Sequence, residues 1–146
     1  MIQVAIVNGP NLNLVGTRET DIYGGQSLED YYKTMQLHFP QVSFSYFQSN
    51  VEGELINYLH SCRGKVDGIV FNGGAYTHTS IAIPDAIAAI NIPTIEVHIS
   101  NIYAREEFRK TSYTAAQCVG CITGLGLEGY ALAVQYFVNT LSAKTT

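Results

Sequence analysis

The run IQVAIVNGP, residues 2–10, is apolar almost without a break from Ile2 to Val7 and stops at Asn8-Gly9-Pro10. A strand with one wet face alternates apolar and polar side chains, whereas a strand covered on both faces does not. The missing alternation, closed by turn-forming residues, predicts a central strand of a parallel sheet.

Outward from this strand, short β-branched runs alternate with helical stretches along the whole chain. The patterning predicts a helix over residues 27–38, with Ser27 and Asp30 offering a capping-box-like start. A strand over 42–47 and a helix over 52–62 follow, then a strand over 68–71 and a helix over 79–90 that carries Pro84 near its start. Strands over 94–97 and 117–122 and a final helix over 127–141 complete the pattern. Strand-helix alternation implies a parallel sheet with helices on both faces. Five strands suggest a doubly wound, flavodoxin-like order, 2-1-3-4-5. No internal repeat or linker divides the 146 residues, so residues 1–146 are expected to form one domain.

Composition narrows the function classes. Charged residues make up only 14% of the chain, against a typical share of about 25%, and a surface so poor in charge points to self-association. The net charge is −4 without any basic run, which argues against nucleic acid and anionic membranes as partners. The N-terminus has no basic segment before its apolar run, and no window is long and apolar enough to span a bilayer. Three cysteines, Cys62, Cys118 and Cys121, are too few and too odd for a disulfide framework and favour a reducing cytoplasm.

Ligands of doubly wound sheets bind where the strand order reverses, at the carboxyl ends of the strands. The loops leaving those ends hold Asn8, Asn11, Arg18 and Tyr23, then Asn72, Gly73, Gly74 and His78, then His98, Ser100, Arg105 and Arg109. Arg63 is the one arginine left out. Each residue also has an ordinary reading. Tyr23 can be a loop anchor, His98 a satisfied structural histidine and Asp85 a helix-face charge. Arg105 and Arg109, four apart, can pair with Glu106. Glu96 can pair with a lysine, although at two residues before His98 it shares a strand face with it. Separately these readings suffice, but they do not account for the shared edge.

Other motifs weigh less. Residues 124–129, GLGLEG, match G-x-G-x-x-G, but no strand with an acidic residue follows, so tight turns and close packing are the better reading. Cys118 and Cys121 sit inside a predicted strand, three apart and on opposite faces, and read as buried thiols instead of a redox pair. His38 and His60 fall near helix ends as surface residues, and no histidine spacing supports a metal site. Gly73-Gly74 before a helix can cradle an anion, with no nucleotide-binding lysine beside it.

The stretches Asn8-Gly-Pro-Asn-Leu-Asn-Leu, Gly16-Thr-Arg-Glu, Ile22-Tyr-Gly, Gln48-Ser-Asn, Phe71-Asn-Gly-Gly-Ala-Tyr-Thr-His-Thr-Ser, Ile95-Glu-Val-His-Ile-Ser-Asn and Arg105-Glu-Glu-Phe-Arg resemble the type II 3-dehydroquinate dehydratases over nearly the full chain. Where that family's loop usually reads Arg-Glu-Pro, this chain has Thr20. The resemblance implies a cofactor-free and metal-free hydro-lyase that converts 3-dehydroquinate to 3-dehydroshikimate through an enolate, in the shikimate pathway or quinate breakdown. It implies Tyr23 as base, Arg18 as transition-state stabiliser, His98 as proton donor and Asn11 as holder of a water near the enolate. Glu96 and Arg105 match supporting groups, and Asn72, His78, Asp85 and Arg109, with the amides of Ile99 and Ser100, match substrate-binding positions. It further implies a homododecamer, a tetramer of trimers, in which Asp85 reaches a neighbouring subunit's site.

The chemistry suits these residue types. Bringing a tyrosine from its reference pKa of about 10 to neutrality costs about 4 kcal/mol. One cation about 4 Å away supplies roughly that amount at an effective dielectric near 20. Arg18 with Arg105 or Arg109 can provide the field, and the same charges can stabilise an enolate. Glu96 can orient His98 and favour its protonated form. Gly16 and Gly24 are candidate hinges for a loop that closes over the substrate. A flavodoxin-like binding or receiver domain is the competing class and predicts a retained flavin, nucleotide or partner protein. A Schiff-base enzyme of the unrelated type I class fails for want of a lysine at a predicted strand end. A purely structural oligomer leaves the clustered Arg, His and Asn residues without a reason.

Overall fold

The computed structural model describes residues 1–16 and 25–141. Five strands, β1 (Ile2–Asn8), β2 (Val42–Gln48), β3 (Gly68–Asn72), β4 (Thr94–His98) and β5 (Gly120–Thr123), pair in parallel in the order β2-β1-β3-β4-β5. That is the order expected from the alternation of strands and helices. Among the described residues four α-helices are interleaved with them: α1 (Leu28–His38), α2 (Glu52–Ser61), α3 (Ala82–Ile90) and α4 (Glu128–Leu141).

The two-residue period of the central strands sorts their side chains into two layers. Val4, Ile6, Val70 and Val97 pack with Leu28 and Met35 of α1 and with Ala133, Val134 and Phe137 of α4. Ala5, Val7, Ile69 and Phe71 pack with Leu55 and Leu59 of α2 and with Ile83 and Ile87 of α3. With both faces covered, β1 and β3 must be apolar at nearly every position, which is why the first strand does not alternate.

Local signals set the element ends. Ser27 caps α1, its hydroxyl accepting the Asp30 amide at 3.1 Å. Asn91 ends α3 in the left-handed conformation (φ 54°) just before Pro93. Two boundaries differ from the sequence expectation by three residues and the others by at most one. The helix expected from residue 79 begins at Ala82, because residues 74–78 form a 3-10 turn. The Thr79 and Ser80 amides close that turn on the Tyr76 carbonyl. The last strand begins at Gly120 and not at residue 117, because the Cys118 amide turns back onto the Ala115 carbonyl in another 3-10 turn. Cys118 therefore stands outside the strand, and Cys121, within it, is exposed and not buried.

Candidate active site

The strand order reverses between β1 and β3, and a cavity of about 360 Å³ opens at their carboxyl ends. It is lined from three loops, by Asn11, Leu12 and Val15 after β1, by Asn72, Gly74 and His78 at the end of β3, and by His98, Ser100, Arg105, Glu106 and Arg109 after β4. The volume is that of a small-molecule site.

The loop after β1 is braced from β2. Gln48 Nε2 donates to the Gly9 carbonyl and to Asn50 Oδ1, both at 3.1 Å, and Asn50 Oδ1 accepts the Asn11 amide at 2.9 Å. Asn11 itself adopts a left-handed backbone (φ 69°), which asparagine tolerates better than most residues. The same loop runs so close to the end of β3 that a Cβ on Gly9 would lie 2.4 Å from the Gly73 carbonyl oxygen. Only glycine allows that approach.

Glu96 and His98, two residues apart on β4, do face the same way. His98 Nε2 lies 2.8 Å from Glu96 Oε2, with Glu96 fully buried and His98 only 5% exposed. Three further groups donate to the carboxylate. Ser112 Oγ reaches both oxygens at 2.9 and 3.0 Å, Thr114 Oγ1 bonds to Oε1, and the Cys121 thiol, cross-strand from Glu96, sits 3.4 Å from Oε2. Burial works to raise the Glu96 pKa, but the bonds from His98, Thr114 and Ser112 outweigh it and hold the carboxyl below its ordinary range. An ionised carboxylate only accepts, so His98 Nε2 carries hydrogen and the Nδ1 edge is left for chemistry.

His78 is oriented from elsewhere. Its Nδ1 stands 2.7 Å from the Thr111 carbonyl, so Nδ1 holds the hydrogen of the neutral ring and Nε2 is an acceptor. Burial pushes its pKa below the usual histidine value despite that bond, which keeps the ring neutral. The two imidazoles lie nearly parallel, with centroids 6.2 Å apart.

Arg105 donates to Ser100 Oγ at 3.2 Å and its Nε lies 3.8 Å from Glu106 Oε1, while Arg109 Nε bonds Glu106 Oε2 at 3.1 Å. The ordinary pairing with Glu106 and the cavity position thus hold together. Glu106, half-exposed, bridges the two guanidiniums and offsets part of their charge. Thr123 and the turn after β5 hold the post-β4 loop in place. Thr123 Oγ1 donates to the Ser100 carbonyl at 3.1 Å, and the Gly124 and Gly126 amides bond the carbonyls of His98 and Ile99. Gly124 needs its positive φ of 88° there, and a Cβ on Gly129 would press on Val97 at 3.2 Å. The GLGLEG motif is thus a turn and a packing device.

Other expected residues fall outside the cavity. Ile99, expected to act through its amide, has its side chain buried in the core, and Asp85, exposed on α3, does not line the cavity of its own chain. The Gly74 amide, expected to help bind an anion, is already donated to Asn72 Oδ1 at 3.1 Å. Arg18, Tyr23, Thr20 and the candidate hinge Gly24 lie outside the described residues. Among the described residues no tyrosine lines the cavity. Burial pushes the Tyr31 and Tyr46 phenols up to about 12, and it raises Tyr32 and Tyr130 as well, which makes all four poor bases.

Sequence reasoning missed Ser112 and Thr114, whose only sign was a hydroxyl-rich run, Thr111-Ser112-Tyr113-Thr114, after the arginines. Among the described residues, Glu96, His98 and Cys121 bring three metal-ligand types within 4.8 Å of one another. His98 and Cys121 are both bonded to Glu96 already, and although the cysteine as a residue is exposed, desolvation of its sulfur against Glu96, followed by the Glu96 charge, pushes the thiol up to about 12, which holds it protonated. The arrangement is a carboxylate saturated by donors.

Comparison with known proteins places this geometry. Residues 2–138 match the family model described as dehydroquinase class II. A 3-dehydroquinate dehydratase of Fusobacterium nucleatum subsp. nucleatum is 50% identical over 144 residues, covering 94% of this chain and 97% of the relative. One from Clostridium acetobutylicum is 50% identical over 143 residues, covering 97% and 99%. The crystal structure of a type II dehydroquinase from Butyrivibrio crossotus superposes with a TM-score of 0.89 at 42% identity, covering 92% of this chain and 96% of that one. One from Propionibacterium acnes gives 0.90 at 37% identity, covering 95% and 97%.

Proposed function

The chain belongs to the class II dehydroquinase family, and from that premise we propose that the cavity at the end of β1, β3 and β4 is where 3-dehydroquinate loses water to give 3-dehydroshikimate. The reaction is the family's, a β-elimination by a hydro-lyase through an enolate. The assignment of roles to residues is our own reading, and His98 on the cavity wall, hydrogen-bonded to the fully buried Glu96, is the observation that carries it.

Tyr23, as phenolate, takes a proton from the carbon beside the ketone and leaves an enolate. Arg18, with the guanidiniums of Arg105 and Arg109, stabilises first the phenolate and then the enolate. Asn11 holds a water at the enolate oxygen. The enolate collapses, the carbon-oxygen bond to the hydroxyl breaks, and His98 delivers a proton from Nδ1 so that water departs. Glu96 fixes the ring by its other nitrogen and sets a negative charge 2.8 Å from a ring that must carry a positive one. Asn72 and the Ile99 and Ser100 amides bind the substrate carboxylate, and His78 Nε2, Arg109 and Asp85 address the ring hydroxyls. Two facts favour Tyr23: no described tyrosine lines the cavity, and the four described tyrosines with displaced pKa values are all raised.

Because Asp85 is exposed and does not line its own cavity, we read it as serving the site of a neighbouring copy, in the dodecamer, a tetramer of trimers, that the family resemblance implies. Exposed apolar residues on the loops near the cavity, among them Ile81, Tyr103 and Phe108, suit such an assembly. We further read residues 1–146 as one catalytic domain, working in a reducing cytoplasm on the strength of three unpaired cysteines. Among the described residues no helix is long and apolar enough to cross a membrane.

The test is to add 3-dehydroquinate to chelator-treated protein and follow the near-ultraviolet absorbance of the conjugated enone. A rise that resists both chelator and borohydride is expected. A folded protein that gives no rise refutes the assignment, and one silenced by borohydride refutes the route without a Schiff base.

A further inference from the structure

Asn8 and Asn72 stand side by side in the register of β1 and β3, at the point where the sheet order reverses. Both are buried, at 1% and 3% exposure, so each carboxamide must find partners at both its ends. The partners form a directed chain. The Gly74 amide, which can only donate, fixes Asn72 Oδ1 on its own side at 3.1 Å. Asn72 Nδ2 then donates to Tyr130 Oη at 3.0 Å, Tyr130 donates to Asn8 Oδ1 at 2.7 Å, and Asn8 Nδ2 donates to Tyr32 Oη at 2.5 Å.

We propose that the Tyr130 hydroxyl is a positioning group for the dehydration, holding the Asn72 carboxamide so that the second hydrogen of Nδ2 is offered to an oxygen of the substrate. The inference rests on the reading of Asn72 as a substrate-binding residue. A carboxamide amine has two hydrogens and the chain of bonds uses one, while Asn72 also lines the cavity. A flipped Asn72 would set its NH2 against the Gly74 N–H and leave Tyr130 facing a second acceptor when its single proton is already given to Asn8. The relay therefore admits one orientation of Asn72 and makes it a donor. Tyr130 is fully buried, and burial raises its pKa well above the usual value, so it keeps the proton that the relay requires. The glycine motif also acquires a purpose here. Gly129, one residue before Tyr130, brings α4 within contact distance of Val97 and Ile122, which carries the tyrosine ring beneath the ends of β1 and β3.

The experiment compares Tyr130→Phe, Tyr32→Phe, Asn72→Ala and the Tyr130→Phe/Asn72→Ala double variant of the full chain, measuring kcat and KM for 3-dehydroquinate with the enone signal. A group that meets the substrate equally before and during the reaction affects KM and spares kcat. Tyr130→Phe is expected to raise KM about tenfold, the size of one ordinary hydrogen bond, with kcat within about twofold. Tyr32→Phe, which keeps its stack on Tyr46 at 3.8 Å, is expected to raise KM in the same sense by about two- to threefold. The double variant should be no worse than Asn72→Ala. Unchanged KM in Tyr130→Phe, or a double variant whose losses multiply, overturns the relay alone. Unchanged KM in Asn72→Ala overturns the reading of Asn72 and the relay with it. If Tyr130→Phe does not fold, Tyr32→Phe decides, and an unchanged KM there overturns the relay.

Discussion

Replacing Glu96 by Gln removes one charge and almost no volume from the centre of the site. The carboxylate is fully buried and takes four donors, from His98, Ser112, Thr114 and Cys121. A glutamine keeps a carbonyl oxygen for His98 Nε2 and turns its amine toward Ser112 and Thr114, whose hydroxyls can rotate from donating to accepting. The fold is retained, and the loss is the charge beside the imidazole. A hydrogen bond to a charged group contributes about 1.5–3 kcal/mol where a neutral one contributes about 1. At an effective dielectric near 20, full Coulomb attraction at 2.8 Å sets an upper bound of roughly 6 kcal/mol. A net loss on the order of 1–3 kcal/mol corresponds to a fall in kcat of about 10- to 100-fold. Because Glu96 does not line the cavity, KM should stay within about threefold. The assay is steady-state turnover of 3-dehydroquinate, with a thermal melt to establish folding. A folded variant with kcat within twofold of the parent would show that the charge does not assist His98. A large rise in KM at constant kcat would assign Glu96 to binding.

Three further outcomes follow from the same structure. Tyr23→Phe should lower kcat by about 10²–10⁴-fold, the range of a positioned general base, and near-normal turnover would exclude Tyr23 from that role. Gly9→Ala should cost about 1–3 kcal/mol of unfolding free energy in denaturant titrations, since its Cβ would fall 2.4 Å from the Gly73 carbonyl oxygen, and an unchanged midpoint would refute the close approach. The folded pKa of His78 lies below the ordinary 6.5 and that of Glu96 below 4.5, so the native state binds fewer protons than the unfolded one at both groups. Their stabilisation is present above those unfolded values and is lost as pH falls through the folded ones, giving two acid-side declines in melting temperature; the first should vanish in His78→Gln.

Where the fold was legible, the reason was burial on two faces. Ile2 to Val7 could not alternate, because Val4 and Ile6 meet α1 and α4 while Ala5 and Val7 meet α2 and α3. The start of α1 was legible because Ser27 caps it by a bond three residues long. The starts of α3 and β5 were not, because 3-10 turns intrude whose bonds leave no hydrophobic period. Thr79 and Ser80 close on Tyr76, and Cys118 closes on Ala115, so residues with ordinary helix or strand preferences are spent on turns.

The site divides along the same line. Glu96 and His98 were legible as neighbours because two residues on a strand share a face whatever the rest of the chain does. Ser112 and Thr114 were not, because they reach Glu96 only after residues 102–104 and 107–110 have folded into 3-10 turns that follow no repeat. Tyr130 was hidden by its setting in a mostly apolar helix, where its ring reads as core and its hydroxyl does not show. These hidden groups share one physical task. A buried carboxylate or carboxamide is costly until its lone pairs and hydrogens are matched. The arginines and histidines at the cavity name the chemistry, but Ser112 and Thr114 allow Glu96 to remain ionised, and Tyr130 with Asn8 fixes which way Asn72 faces. A chain carrying every recognisable site residue but lacking those hydroxyls would keep the fold's outline and lose the orientation on which the elimination depends.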